Sequence, residues 1–456
     1  MIEKSENRKR GKVYFTQYNA SYLPSIAETC GYEIKININN SLELMFNEIL
    51  NFSPDFIVSN IRFKFYKPQM EALAKIKELL PKTKIIVTGE PFLTYNNNVT
   101  YENPFVSYAI TGEPEYTLRD ILNGIPDNEI LGICYTDDNM QSVKNEPRPF
   151  IDNLDELPFP IRITNKNSAE YIEVSRGCPH HCFFCMATPL RGKVVRYRSV
   201  ENVINEIKFC IEKYRVTEFV FKADNICEDS SWLLNLCEKI IENKLNINWS
   251  TNIMPGKIDI ELAKLMKKSG CVLCNIGAES GSLSILNNIE KHISIEDIKA
   301  TNKILKQNKI PVNNCFMFGL PWETEETAEE TIKFALELNS DEATFNIASP
   351  FPGTKFFVYT MLNRLISGDL DFTNSIQGAI VRTHKLSKEK ITEFMQQAVR
   401  RYYIRPKYIL KALFTLNLKL IVRMMKIYFS VFNKNNKDKD KNKDKNKDKN
   451  KDKNKI

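Results

Sequence analysis

Histidine is scarce in this chain: there are four in 456 residues, and none precedes His180. Imidazole chemistry, whether acid–base or metal-ligating, is thereby excluded from everything ahead of that position. Long apolar runs are missing as well. The best membrane candidate is 406–432, PKYILKALFTLNLKLIVRMMKIYFSVF, in which the longest stretch between basic residues is ALFTLNL; a spanning helix needs roughly 20 consecutive apolar residues. The opening MIEKSENRKRGK holds no apolar core of a secretory signal. Net charge is small once it is located. The formal +8 includes a tail, 433–456, with eleven lysines against five aspartates, which leaves roughly +2 for the remainder. A general nucleic-acid footprint is not expected of so neutral a body.

What the chain does have is cysteine: eleven, an odd number, spread along its length. Without a secretory signal these are expected to be reduced thiols in a cytoplasm, where clustered cysteines are metal ligands or catalytic groups more often than disulfides. The length suits two or three domains. Over 12–134, short apolar runs (KVYFTQ, YEIKI, DFIVSN, KIIVTG, SYAIT) alternate with helical patterns, which predicts an α/β domain with a doubly wound parallel sheet. Gly89 and Gly112 each follow a strand, where such a sheet opens its ligand crevice. Residues 135–168 are polar and proline-bearing and predict a linker. From 169 to 384, six strand-then-helix repeats predict a barrel or partial barrel, with functional loops at the C-terminal strand ends. A helical segment is expected over 385–432, and the Lys/Asn/Asp tail 433–456 has too little apolar surface to fold.

The densest cysteine group is RGCPHHCFFC, which spaces Cys178, Cys182 and Cys185 as C-x-x-x-C-x-x-C on a loop after an apparent strand. Three thiolates so close together can hold one face of an iron–sulfur cube, leaving one iron without a protein ligand. A zinc site completed by His180 or His181 is the competing reading, although the spacing is not a usual zinc pattern. A second pair, Cys271 and Cys274 in GCVLC, lies on a predicted strand. Residues three apart there are expected on opposite faces, which argues for core rather than metal.

RGCPHHCFFC resembles the signature of the radical S-adenosylmethionine (SAM) enzymes, including the aromatic Phe184 ahead of the last cysteine. FKADNIC, IGAESGSLSILNNIEK, FGLPWET and PFPGT are similar, in order, to that family's later strand-end motifs. The resemblance implies a partial (β/α)6 TIM-type barrel carrying a 4Fe–4S cluster on the three cysteines. It implies reductive cleavage of SAM to methionine and a 5′-deoxyadenosyl radical, with an electron donor such as flavodoxin or ferredoxin. It further implies roles at matching positions. Asp224 would orient the methionyl amine, Glu279 and Ser280 would meet the ribose or carboxylate, and backbone near Phe184 and Gly319 would lie along the adenine.

The first domain resembles the cobalamin-binding domain fused to many radical SAM enzymes, a subfamily of methyltransferases and ring-forming or rearranging enzymes. Cobalamin is implied with no histidine of this domain on cobalt. In GEPFLT, Glu90 stands where that subfamily often has a second glycine. The expectation is therefore a radical SAM enzyme that transfers a methyl group to an unactivated carbon of a small-molecule or lipid-like substrate. The alternatives are a radical cyclisation, oxidation or rearrangement, and a non-catalytic metal-binding scaffold. No nucleic-acid partner is expected. The basic-apolar pattern of 406–432, followed by the basic tail, suggests peripheral contact with a membrane surface.

Overall fold

Alternate residues of the first strands belong to two separate apolar cores. Tyr14, Ile57, Ile85 and Val87 pack into one, and Val13, Phe15, Val58 and Ile86 into the other. A strand buried on both faces reads as a continuous apolar run, and this produces a sheet with helices on each side. The computed structural model describes residues 10–17, 22–38, 41–94, 99–163, 169–366, 372, 378–406 and 408. Its first sheet contains β1 (Lys12–Phe15), β2 (Glu33–Ile36), β3 (Phe56–Ile61), β4 (Lys84–Gly89), β5 (Tyr108–Ile110), β6 (Ile133–Thr136) and β7 (Ser142–Lys144), in the order β2-β1-β3-β4-β5-β6-β7. The first five strands are parallel, and β6 and β7 continue the sheet antiparallel. The parallel part has the doubly wound order whose crevice opens at the C-terminal strand ends.

The boundary expected at 134 is corrected here, since the sheet runs on to Lys144. ICYT and SVK are too short to register as strands in sequence, and only pairing with β5 makes them so. The rest of the expected linker is packed: Ile151, Leu154 and Leu157 form a small core with Tyr22, and Ser25 bonds to both Phe159 and Ile161. Arg162 is buried against Glu170 and Glu206 of the second domain.

That domain begins with β8 (Glu170–Glu173), followed by a two-stranded ribbon of β9 (Ser175–Arg176) and β10 (Arg196–Tyr197). Then come β11 (Glu218–Lys222), β12 (Asn248–Ile253), β13 (Cys271–Glu279), β14 (Val312–Phe318) and β15 (Glu342–Ile347). Strands β8 and β11 to β15 form one six-stranded sheet in the order β15-β14-β13-β12-β11-β8, parallel throughout. This is the expected partial barrel. Its outer face packs on helices through Phe219, Trp249, Ile276, Phe316 and Phe345. The helix Lys388–Tyr403 closes the end beside β15, where Tyr402 and Tyr403 bond to the backbone of Ser340 and Ala343.

The two sheets meet through their C-terminal edges. Phe63, just past β3, packs 5.6 Å from Phe351 and 5.1 Å from Phe372 beyond the last barrel strand. No described helix is long and apolar enough to cross a membrane. The segment 406–432, apart from Pro406 and Tyr408, and the tail 433–456 lie outside the described residues.

Candidate active site

All three clustered cysteines lie on the excursion between β9 and β10. Cys178 N–H donates to Gly192 O (3.1 Å), and Cys185 N–H closes a turn onto Cys182 O (3.0 Å). The Thr188 hydroxyl donates to the carbonyl of His180 (2.9 Å). Phe183, buried and apolar, pins the loop to the barrel: its N–H donates to Ile289 O, its carbonyl accepts from Phe356 N–H, and its ring packs 4.9 Å from Trp322. Neighbouring Phe184 is only partly buried and packs against the same core. At the root of the loop, Gly177 adopts φ +95° and donates its N–H to Asp224 (2.8 Å). A Cβ there would stand 2.1 Å from Val194 O, so only glycine fits.

Burial raises the pKa of all three thiols, that of Cys182 to about 11. They lie within each other's field, and Asp224, Glu279 and Lys291 act on them as well. Among the described residues, no three Cys, His, Asp or Glu side chains converge as ligands of one ion. Three thiolates that each bind a different iron of a cube need no such convergence, and the soft, three-thiol donor set fits a 4Fe–4S group. His180, weighed from sequence as a zinc ligand, instead bonds through Nε2 to Glu228 at 3.0 Å.

The positions singled out from sequence separate on inspection. Asp224, beyond β11, is solvent-accessible yet surrounded by protein, as a group lining a concavity is. The surrounding protein raises its carboxyl pKa, and Arg191 and the Gly177 N–H act against that. Glu279 ends β13 at a register shift, with φ +60° and a Ser280 N–H to Ala278 O bond of 2.8 Å across it. A positive-φ turn closed over two residues is rare and strained. Its carboxylate pairs with buried Lys291, whose ammonium also donates to Gly277 O at 2.8 Å.

Ser280 corrects the expectation. It is fully buried, its hydroxyl hydrogen-bonds to Thr331 on the helix Glu325–Leu338 at 3.0 Å, and it accepts from Ser282 N–H. It thus supports the strand end from behind rather than facing the cysteines. At Gly319, glycine is required by φ +91° and by Ile391, whose Cγ2 would lie 3.1 Å from a Cβ.

The concave face of the barrel is polar. Asn314 bonds to Asn302 in the helix layer, so its neighbours Asn313 and Cys315 face the interior. Asn275 donates to Asn252 (3.0 Å), Asn313 donates to Asn275 (3.0 Å), and Asn313 and Thr344 bond at 3.1 Å. Cys315 lies above them in the field of Glu279 and Lys291, its thiol pushed up to about 11 by burial. Asn252, Asn346 and Lys222 are exposed in mid-strand or at strand ends, so this interior is open rather than packed.

Sequence reading missed several contributors. Lys291 sat in the quoted motif IGAESGSLSILNNIEK, but only the fold brings it back to Glu279. Arg176 and Arg196 give no sign in sequence that both are buried at the domain interface. Glu323 was passed over within FGLPWET: it is fully buried, accepts from Gly319 N–H at 2.6 Å, and its other oxygen has no hydrogen-bond partner among the described residues. Burial pushes its carboxyl up to about 8. Across the interface, Asn60, Glu90, Thr111 and Gly112 at the first sheet's strand ends remain partly open, and no atom of the described residues lies within 4 Å of where a Cβ on Gly112 would stand. Glu90 accepts from Phe63 N–H (3.4 Å), bridging two loops of that crevice edge.

Comparisons with known proteins agree with this geometry. Residues 172–335 match the family model described as the radical SAM superfamily. An uncharacterized methyltransferase of Pyrococcus horikoshii is 28% identical over 432 residues, covering 90% of this chain and 93% of its own. An anaerobic magnesium-protoporphyrin IX monomethyl ester cyclase of Rubrivivax gelatinosus is 25% identical over 360 residues, covering 75% of this chain and 64% of its own. Among solved structures, the radical S-adenosylmethionine methyltransferase TsrM from Kitasatospora setae, with cobalamin and a 4Fe–4S cluster bound, superposes with TM-score 0.65 at 15% identity. It covers 77% of this chain and 75% of its own, so the two share a fold.

Proposed function

Because the chain belongs to the radical SAM superfamily and is a radical SAM enzyme, we propose that it is a cobalamin-dependent methyltransferase acting on an unactivated carbon of a small polar molecule. The observation that carries this reading is the apposition of the two sheets. The crevice edge of a cobalamin-type domain and the cysteine loop of the barrel share one interface, through Phe63 on Phe351 and through Glu113 on Arg196. When bound, the cluster supplies the electron that cleaves SAM, and cobalamin supplies a methyl carrier.

The chain's own residues have separable tasks in this proposal. Cys178, Cys182 and Cys185 hold three irons. Asp224, fixed by Gly177, accepts from the methionyl amine, and Lys291, balanced by Glu279, faces the carboxylate. Phe184 and the backbone at Gly319 flank the adenine. Cobalamin would rest on Asn60, Glu90, Thr111 and Gly112 without a histidine on cobalt. The Asn252–Asn275–Asn313–Thr344 ladder favours a substrate that forms hydrogen bonds over a lipid-like one. A one-electron donor such as a flavodoxin or ferredoxin would reduce the cluster. Peripheral membrane contact rests on the sequence pattern of 406–432 alone.

Anaerobic reconstitution tests the reading. It should give about four irons and sulfides per chain, and SAM with reductant should yield methionine and 5′-deoxyadenosine. Cobalamin should bind, and methyl from labelled SAM should appear in product. Turnover that consumes SAM and transfers no methyl group would favour cyclisation, the chemistry named for the Rubrivivax relative.

A further inference from the structure

The excursion that carries the cysteines is closed at its base by two arginines. Arg176 ends β9, Arg196 begins β10, and the two stand directly opposite each other in the antiparallel ribbon. Like charges in directly opposed positions repel and should pry such a ribbon apart. Both are buried, at 2% and 8% exposure, so water does little to screen them.

What holds them together comes from the other domain. Glu113, the residue after Gly112 at the end of β5, accepts from Arg196 Nη1 and Nη2 at 2.9 and 2.8 Å, and its Oε1 lies 3.4 Å from Arg176 Nη1. Glu115 accepts from Arg176 Nη2 at 2.6 Å. Glu173, at the end of β8, takes the remaining face of Arg176 and also pairs with Arg191 within the loop. Arg196 Nη2 further donates to Arg191 O, and Nη1 to Ile151 O. Burial alone would raise the Glu113 carboxyl pKa, yet Arg196 and Arg176 hold it below its ordinary value. The base of the cysteine loop is therefore neutralised largely by carboxylates of the first domain.

We infer that Glu113 and Glu115 are positioning residues for the iron–sulfur loop: the first domain clamps the two stems of residues 177–195 by placing anions between Arg176 and Arg196. Glu113 directly follows a crevice residue, so the same clamp fixes the offset between the first domain's crevice and the cluster. The inference rests on the cluster assignment for its consequence, but the clamp itself is a property of the protein without cofactors.

Hydrogen exchange on the full chain before reconstitution separates the two. In Glu113→Gln/Glu115→Gln, the amides of Cys178 and Phe183 should exchange roughly tenfold faster or more than in the parent, since a buried charge is left without its partner. Asp120→Asn, which cuts an ion pair to Arg148 farther along the helix Pro114–Asn123 that also carries Glu115, should leave them unchanged. After anaerobic reconstitution, the double variant should hold markedly less iron, or show a reduced-cluster electron paramagnetic resonance spectrum whose response to SAM differs from the parent. If the double variant does not fold, Glu113→Gln alone should give the same changes to a smaller degree. Unchanged loop exchange together with unchanged iron content and spectrum would overturn the inference. A parent that takes up no iron would sink the radical SAM reading instead, while the exchange comparison would still decide the clamp.

Discussion

Lys291 holds Glu279 in a conformation that glutamate rarely adopts. Its ammonium pairs with the Glu279 carboxylate and donates to Gly277 O at 2.8 Å, and Glu279 itself sits at φ +60° on a register shift of β13. Positive-φ strain of this kind costs about 1–3 kcal/mol and persists only where surroundings enforce it. Here it turns a carboxylate, which a regular strand would direct elsewhere, toward the cysteine loop.

The pair predicts a graded pair of variants. Lys291→Met leaves Glu279 buried without a counter-charge and should lose about 3 kcal/mol of stability in denaturant unfolding, together with about tenfold or more in SAM affinity. Gly277→Ala puts a methyl 2.4 Å from Lys291 Nζ and 2.6 Å from Glu279 Oε1. Both are ends of long side chains that can move, so SAM affinity should fall with little change in unfolding. Equal SAM binding by both variants and the parent would remove Lys291 from the site.

Gly177→Ala should be far harsher despite being the same chemical change. The added Cβ meets backbone, Val194 O, at 2.1 Å, and φ is +95°. Neither relaxes without moving the loop, which would also break the bond to Asp224. Iron uptake after anaerobic reconstitution should collapse while far-ultraviolet circular dichroism stays close to the parent. Full iron occupancy in this variant would mean that the loop root is not part of the cluster site.

How much of this was legible in the sequence depends on how far apart the interacting residues lie. The cysteine trio was legible because its spacing is local, and the parallel strands because burial on both faces leaves continuous apolar runs such as KIIVTG. β6 and β7 were not, since ICYT and SVK acquire strand character only by pairing next to β5. Nor was the arginine clamp, whose partners are 61 and 83 positions apart and which no periodicity links. The direction of the Ser280 side chain was not legible either: its role came from the resemblance, which carries residue types, while alternation gives the face a strand residue takes only where the register is regular, and Ser280 lies just past a bulge.

A second bulge shows the same limit at Cys271 and Cys274. Three positions apart, they were expected on opposite faces. Cys271 instead pairs with Trp249 and Leu273 with Ser250, so Val272 is an extra residue and the two thiols share the outer face, 3.7 Å apart and fully buried. The core reading stands, though for a different geometric reason. Cys271→Ala/Cys274→Ala should therefore keep the parent's iron content and SAM cleavage while losing a few kcal/mol of stability to the small cavities left behind. Loss of iron in proportion to these two thiols would show that they contribute ligands.

Glu323 predicts a pH dependence whose sign follows from its surroundings. Its pKa in the folded chain is pushed up to about 8 by burial, against an ordinary value of 4.5, and Gly319 N–H only partly offsets this. Below the ordinary value the residue is protonated in both states and costs nothing. Between about 4.5 and about 8 the unfolded chain releases the proton and the folded chain keeps it, so stability drains away as pH rises, by up to about 1.4 kcal/mol per pH unit. Above about 8 the loss is complete. Glutamine preserves the acceptor for Gly319 N–H but cannot ionise. Glu323→Gln should thus match the parent in denaturant unfolding near pH 4.5 and exceed it by a few kcal/mol near pH 8, with the gap opening steadily between. Parallel stability curves across that range would show that Glu323 ionises freely and that its second oxygen reaches water or a partner in solution.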